Sequence, residues 1–309
     1  MKKLFRFPTL FILSFFLFSC SSSISEAVFF DTQGKLVNKD LKQLLTVTGQ
    51  SHAETLDSVI AATQDKENGW LRSGERWHKQ KERFTDKQRQ EIVVLAKKLG
   101  YLDEKTPSKD KYDRALVLGA ASVRIKSRIN YLIDLWKRGI RFDKIVMLGS
   151  TRSLDAPESD VLLKPNVLEK GYEANEMGLM QYIYNNEVSL PKDMASLPVI
   201  WVKAEGKGGK RANTDDTIEE WLKRDTDLAN DMTVLSVSNQ PHASYQGVVI
   251  QTYLVNHEKG LNLTSEVVGE KSSLADKAKP DSQEIAVLLD AMARHLYSLK
   301  KLSLAQASV

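Results

Sequence analysis

The sequence has a single cysteine, Cys20, which excludes an internal disulfide and leaves that thiol some other role. Long apolar runs are almost absent. Only Phe7–Phe18 qualifies, and at about a dozen residues it matches the core of a signal peptide rather than a bilayer span. Charge of one sign is scarce as well: the formal net charge is +4 over 309 residues. Lys and Arg alternate with Asp and Glu along most helical segments, which reads as solvated faces and excludes a concentrated nucleic-acid footprint.

Several catalytic signatures are missing. The five histidines, His52, His78, His242, His257 and His295, show no metal-ligand spacing, so no metal site is expected. Gly119 is followed by Ala120, Ala121 and Ser122, without the second and third glycines of a dinucleotide fingerprint. Lys210 in the Gly206–Arg211 loop is followed by neither Ser nor Thr, so that loop is not a P-loop. Ser150 and Ser238 lie in no Gly-x-Ser-x-Gly elbow. No cofactor is implied, and no internal repeat is visible.

What is present begins at the N-terminus. Lys2, Lys3 and Arg6 precede the apolar run, and Leu17-Phe18-Ser19-Cys20 follows it. The tetrapeptide resembles a bacterial lipobox, with Phe18 where a small residue is usual, and implies lipidation at Cys20. Cleavage after Ala27 and retention as an uncleaved anchor are the two other readings. All three export the chain to a bacterial envelope, anchored in the membrane or released as a periplasmic or secreted protein, and residues 1–27 are set aside as this targeting segment.

Residues 28–110 read as a helical accessory region without long strands. Thr85 with Gln88 three residues later marks a helix start, and Gly100 marks its end. Trp70, Trp77 and Phe84 lie in a heavily charged stretch, which suggests a protein-binding surface. Thr106–Asp110 reads as a polar linker.

From residue 111 the pattern alternates strands and helices: strands at 115–118, 145–148, 198–202, 233–237 and 263–268, helices between them, and a terminal helix over 284–302. The expectation is a Rossmann-like, doubly wound α/β domain over 111–309, with a mostly parallel sheet of about five strands. Segments 149–171 and 272–282 read as polar connections.

In such sheets ligands sit beyond the carboxyl ends of the strands. The candidates are therefore Gly119, Ser122, Arg124 and Arg128 after the first strand, and Ser150 and Arg152 after the second. Asn213 and Thr214 follow the third, and Asn239 and His242 the fourth. Glu176 opens a helix and can contact a sugar hydroxyl or a metal. A glycine turn before a helix start, with arginines nearby, favours an anion. His242, after Pro241, is the candidate catalytic acid–base group.

The order of these pieces, Ala115–Gly119, Arg128, Val146–Ser150, Glu173–Met180, Ala212–Thr214 with Thr217, and Ser238 to His242, resembles the YdcF/SanA/ElyC-type domain family (domain of unknown function 218). The resemblance covers roughly residues 114–254. Thr151-Arg152 stands where that family has a second glycine, and Ala243-Ser244 where it has Arg-Ala. The resemblance implies a Rossmann-like fold, an envelope association and a nucleotide-like or polyprenyl-phosphate-linked ligand. Two functions are therefore carried forward. One is binding of a phosphorylated or nucleotide-like small molecule in cell-envelope metabolism, as a transferase or hydrolase if it is an enzyme. The other is a non-catalytic interaction factor.

Overall fold

A computed structural model describes residues 28–74, 78–154, 160–255 and 261–308. The lipobox-like tetrapeptide, the candidate cleavage position after Ala27 and Trp77 lie outside these residues.

The chain begins with three helices, α1 (Lys39–Val47), α2 (Leu56–Thr63) and α3 (Asp86–Lys98). Each has a side-chain N-cap, from Asn38, Thr55 and Thr85 respectively. The Thr85–Gln88 capping box expected from the sequence is formed. Then come β1 (Lys111–Leu118), α4 (Ser122–Lys137), β2 (Arg141–Ser150), α5 (Asp160–Glu169), α6 (Glu176–Asn186), the single turn α7 (Lys192–Ala195) and β3 (Val199–Ala204). The chain continues through α8 (Thr214–Arg224), β4 (Thr233–Asn239), α9 (Ala243–Val255), β5 (Thr264–Glu270) and α10 (Ser282–Ala307).

The five strands form one parallel sheet in the order β3-β2-β1-β4-β5. This is the doubly wound Rossmann-like arrangement expected from the sequence. The central strands are apolar on both faces, as a sheet covered on both sides requires. Ala115, Val117, Ile145 and Met147 pack with Ile125, Ile129 and Ile183 on one face. Leu116, Leu118, Val146 and Leu148 pack with Ile218, Trp221 and Ile250 on the other. The strand order reverses between β1 and β4, which opens a crevice beyond their carboxyl ends.

A third core joins the two ends of the chain. Leu41, Leu44, Leu45, Val59, Ile92 and Leu95 of α1–α3 pack against Ile285, Leu288, Leu289, Met292 and Leu296 of α10. The early helices are too poor in apolar residues for a core of their own, and the last helix supplies the missing wall. Trp70 belongs to this core at 2% exposure, and half-buried Phe84 packs on it. Of the aromatic set that suggested a docking surface, Trp70 is thus interior and Phe84 packs on the same core.

Three expected connections are more ordered than their composition suggested. The stretch before β1 is pinned along the edge strand β5: Lys105 exchanges backbone hydrogen bonds with Gly269, and Ser108 bonds the Glu266 carboxylate. It shields the open edge of the sheet. The polar connection after β2 contains α5, although Pro165 inside it removes one helical hydrogen bond. In the 272–282 segment, Leu274 of a short 3-10 turn is buried in the third core.

Candidate functional site

β1 ends at Leu118, and Gly119 carries the chain over the sheet edge. A Cβ here would lie 2.7 Å from the Leu148 carbonyl oxygen and 3.1 Å from the Glu176 carboxylate. Glycine is required by that close approach, not by an unusual φ.

Below the turn, α4 places Arg128 inward, at 2% exposure. Its Nη1 donates to the carbonyls of Leu118 (2.7 Å) and Gly119 (2.8 Å). Its Nε donates to Asn239 Oδ1 (2.9 Å), and Nη2 to Gln246 Oε1 (3.3 Å). Gln246 also accepts from Ser238 Oγ. Arg128 therefore ties the ends of β1 and β4 together across the crevice. All four of these acceptors are neutral oxygens.

The start of α4 differs from the expectation of a site open to an external anion. The Ser122 amide donates to Asp160 Oδ1 at 2.6 Å, and Asp160 is fully buried at 0% exposure. Its other oxygen pairs with Arg152 Nη2 at 2.8 Å. The protein thus supplies its own carboxylate to the helix dipole. Arg152 also donates to the Ala120 carbonyl and lies 3.6 Å from Glu176 Oε1, while Ser150 Oγ donates to Glu176 Oε2. Ser122, Ser150 and Arg152 form a buried network that orients Glu176 and supports the turn from behind.

Two adjoining clefts open above this floor. The larger, about 580 Å³, is walled by Asn213–Thr217, by α9 and by Tyr297, Ser298 and Lys301 of α10. The smaller, about 270 Å³, brings together Arg72, Arg124, Arg128, Arg294 and His242, and Asp290 is the only carboxylate among its described lining residues. Gly119, Tyr245, Gln246 and Arg294 line both. Together they have the size of a small-molecule site.

Asp290 organises the roof of the smaller cleft. Buried on α10, it accepts two hydrogen bonds from Arg294 one turn later, at 2.8 and 3.2 Å, and one from the Arg72 backbone amide at 3.1 Å. The hydrogen-bonded Asp290 carboxylate raises the pKa of Arg294 above its ordinary value. His242 is buried, edge-on to Tyr245 with ring centroids 6.0 Å apart, and its amide donates to the Asn239 carbonyl. In the larger cleft, burial raises the pKa of the Asp215 carboxyl above the usual range, partly offset by Lys301.

Seven of the sequence candidates meet at these clefts: Gly119, Arg124, Arg128, Glu176, Asn213, Thr214 and His242. Asn213 is also committed to capping α8, where its side chain accepts from the Asp216 amide. Asn239 faces a separate cavity of about 430 Å³, beside Gln240 and Glu270. Gln240 itself reaches the Gly100 and Asp103 carbonyls, stitching β4 to the N-terminal region.

Sequence reasoning missed Arg72, Asp215, Tyr245, Gln246, Asp290 and Arg294. The Asp290–Arg294 spacing of one helical turn was a visible signal for a paired charge, whereas nothing local marked Arg72 as a roof residue. Among the described residues no group of three or more His, Cys, Asp or Glu side chains could hold a metal ion, and no helix is long and apolar enough to cross a membrane. No protein-family model, no curated protein and no solved structure matches the chain.

Proposed function

We propose that this protein binds a phosphorylated or nucleotide-like small molecule in the cleft beyond β1 and β4. One observation carries the reading: four arginines, Arg72, Arg124, Arg128 and Arg294, converge with His242 around a cleft with one carboxylate among its described lining residues. Guanidinium groups suit phosphate oxygens through paired, charge-assisted hydrogen bonds. The cleft lies where a doubly wound sheet places its ligand.

The reading extends to transfer or hydrolysis at the bound phosphate, with His242 moving the proton. It also takes the YdcF/SanA/ElyC-type domain as the family and the bacterial envelope as the setting. What supports the family is that Gly119, Glu176, Asn213, Thr214 and His242, all from the segments that carry the resemblance, line one pair of clefts. The envelope setting rests on the Lys2–Cys20 sequence alone.

Thermal unfolding in the presence of nucleotides, sugar nucleotides and isoprenoid phosphates tests the binding. A ligand at 100 times its Kd should stabilise the fold by about 2.7 kcal/mol. Arg294→Ala should abolish most of that shift. No shift with any phosphate, or a shift untouched by both Arg294→Ala and His242→Ala, would sink the assignment. For the setting, fatty-acid labelling should depend on Cys20, and a Cys20→Ser chain that still labels removes the lipoprotein reading.

A further inference from the structure

The two clefts differ in lining, and that difference bears on the class of ligand. Resting on the phosphate reading above, we propose that the ligand is a monophosphate ester of a hydroxylated ring, a sugar phosphate or nucleoside monophosphate. Its phosphate occupies the smaller cleft and its ring the larger.

The smaller cleft holds about 270 Å³ and is dominated by arginines, which suits one phosphate group. The larger, at about 580 Å³, has a different chemistry. Tyr245 and Tyr297 supply aromatic surface from α9 and α10, and Glu176, Asp215, Thr217 and Ser298 supply hydrogen-bonding groups. A flat or puckered ring with hydroxyls can use both. Glu176 is the best-held of these groups. Ser150 bonds one of its oxygens, Arg152 approaches the other at 3.6 Å, and Gly119 leaves the space beside it. A carboxylate fixed in this way is a ready acceptor for a ring hydroxyl.

Two competing ligands fit less well. An isoprenoid chain in the larger cleft would strip water from Thr217, Asn213, Ser298 and the carboxylates without replacing their hydrogen bonds. A second phosphate there would meet Arg211 and Lys301 but also Glu176 and Asp215. Arg294, Tyr245, Gln246 and Gly119 border both clefts, so a single ester can span them.

Calorimetric titration of the full chain with inorganic phosphate, ribose 5-phosphate, adenosine monophosphate and farnesyl phosphate separates the possibilities. At least one ring phosphate should bind about tenfold or more tighter than inorganic phosphate, a free-energy gain of about 1.4 kcal/mol. Farnesyl phosphate should bind no tighter than inorganic phosphate. Glu176→Gln and Tyr297→Ala should each shrink the ring's advantage while leaving phosphate affinity intact, and Arg294→Ala should weaken all four ligands. Tyr297 is 41% exposed, so its variant keeps the test usable if Glu176→Gln misfolds. Ring phosphates binding no tighter than phosphate, or farnesyl phosphate binding tightest, overturns this inference, as does a Glu176→Gln or Tyr297→Ala variant that folds and weakens every ligand equally. If phosphate itself does not bind and Arg294→Ala changes nothing, the underlying phosphate reading falls instead.

Discussion

Arg128 satisfies four oxygens at once, from Leu118, Gly119, Asn239 and Gln246. Its side chain is part of the sheet's end as much as of the cleft's wall. Arg128→Met should therefore cost about 3 kcal/mol, because the orphaned carbonyls and amides stay buried. Arg128→Lys should recover only part, since a point charge cannot fork to several acceptors. Denaturant midpoints check both, and wild-type stability in Arg128→Met would refute the clamp. Gly119→Ala drives a methyl group against the Leu148 carbonyl and should cost about 1–3 kcal/mol, with ligand binding weakened alongside. The sequence made Gly119, Arg124, Arg128 and His242 visible because each lies in the turn or helix that directly follows a strand. It also offered Ser122, Ser150 and Arg152 on the same grounds. Those three face Asp160 and Glu176 instead, and a partner 38 residues away from Ser122 leaves no local trace.

Among the elements, α8 shows how helices are locked to this sheet. Asp225, at its C-terminal end, takes a bidentate pair from Arg114 of β1 at 2.6 and 3.1 Å and a hydrogen bond from the Trp221 indole at 3.0 Å. Both charges are buried. Asp225→Ala should destabilise by about 3–5 kcal/mol because Arg114 is left charged and alone. The double variant Arg114→Met with Asp225→Leu should recover much of that loss, and equal losses in single and double variants would refute this account. At the outer face of the same helix, Lys207 and Lys223 hold the Glu219 carboxylate far below its ordinary value, at about 2. A depressed carboxylate stabilises the fold above its unfolded pKa of about 4.3 and loses that contribution as pH falls toward 2. The pair is partly exposed, so its contribution is small and should fade with salt. Carboxyl-carbon NMR titration should place Glu219 near 2, and Lys207→Ala should move it upward. Strands and helices of this domain were legible because their apolar periods are clean. α5 was not, since Pro165 reads locally as a breaker although the helix runs through it.

For the whole molecule, the decisive fact is that α10, last in the sequence, completes the core of the first three helices. No local pattern reports such a pairing; it is a contact between residues more than 200 positions apart, as at Arg72 and Asp290. Leu288→Ala should cost about 2–5 kcal/mol. Its effect should appear in the amides of α1–α3 as well as α10, measured by hydrogen exchange. Loss of protection confined to α10 would show that the N-terminal helices stand alone. The same helix carries Asp290 and Arg294 into the cleft. A chain synthesised from its N-terminus therefore has its sheet before it has the proposed cleft. Until α10 has emerged, Asp290, Arg294, Tyr297, Ser298 and Lys301 are missing from the roof and walls, and of the groups supplied by the ends of the chain only the N-terminal contributors such as Gln64, Leu71 and Arg72 are in hand. Recognition at the proposed cleft is in this way a report on α10: a chain in which that helix is undocked can hold a parallel sheet and still be silent.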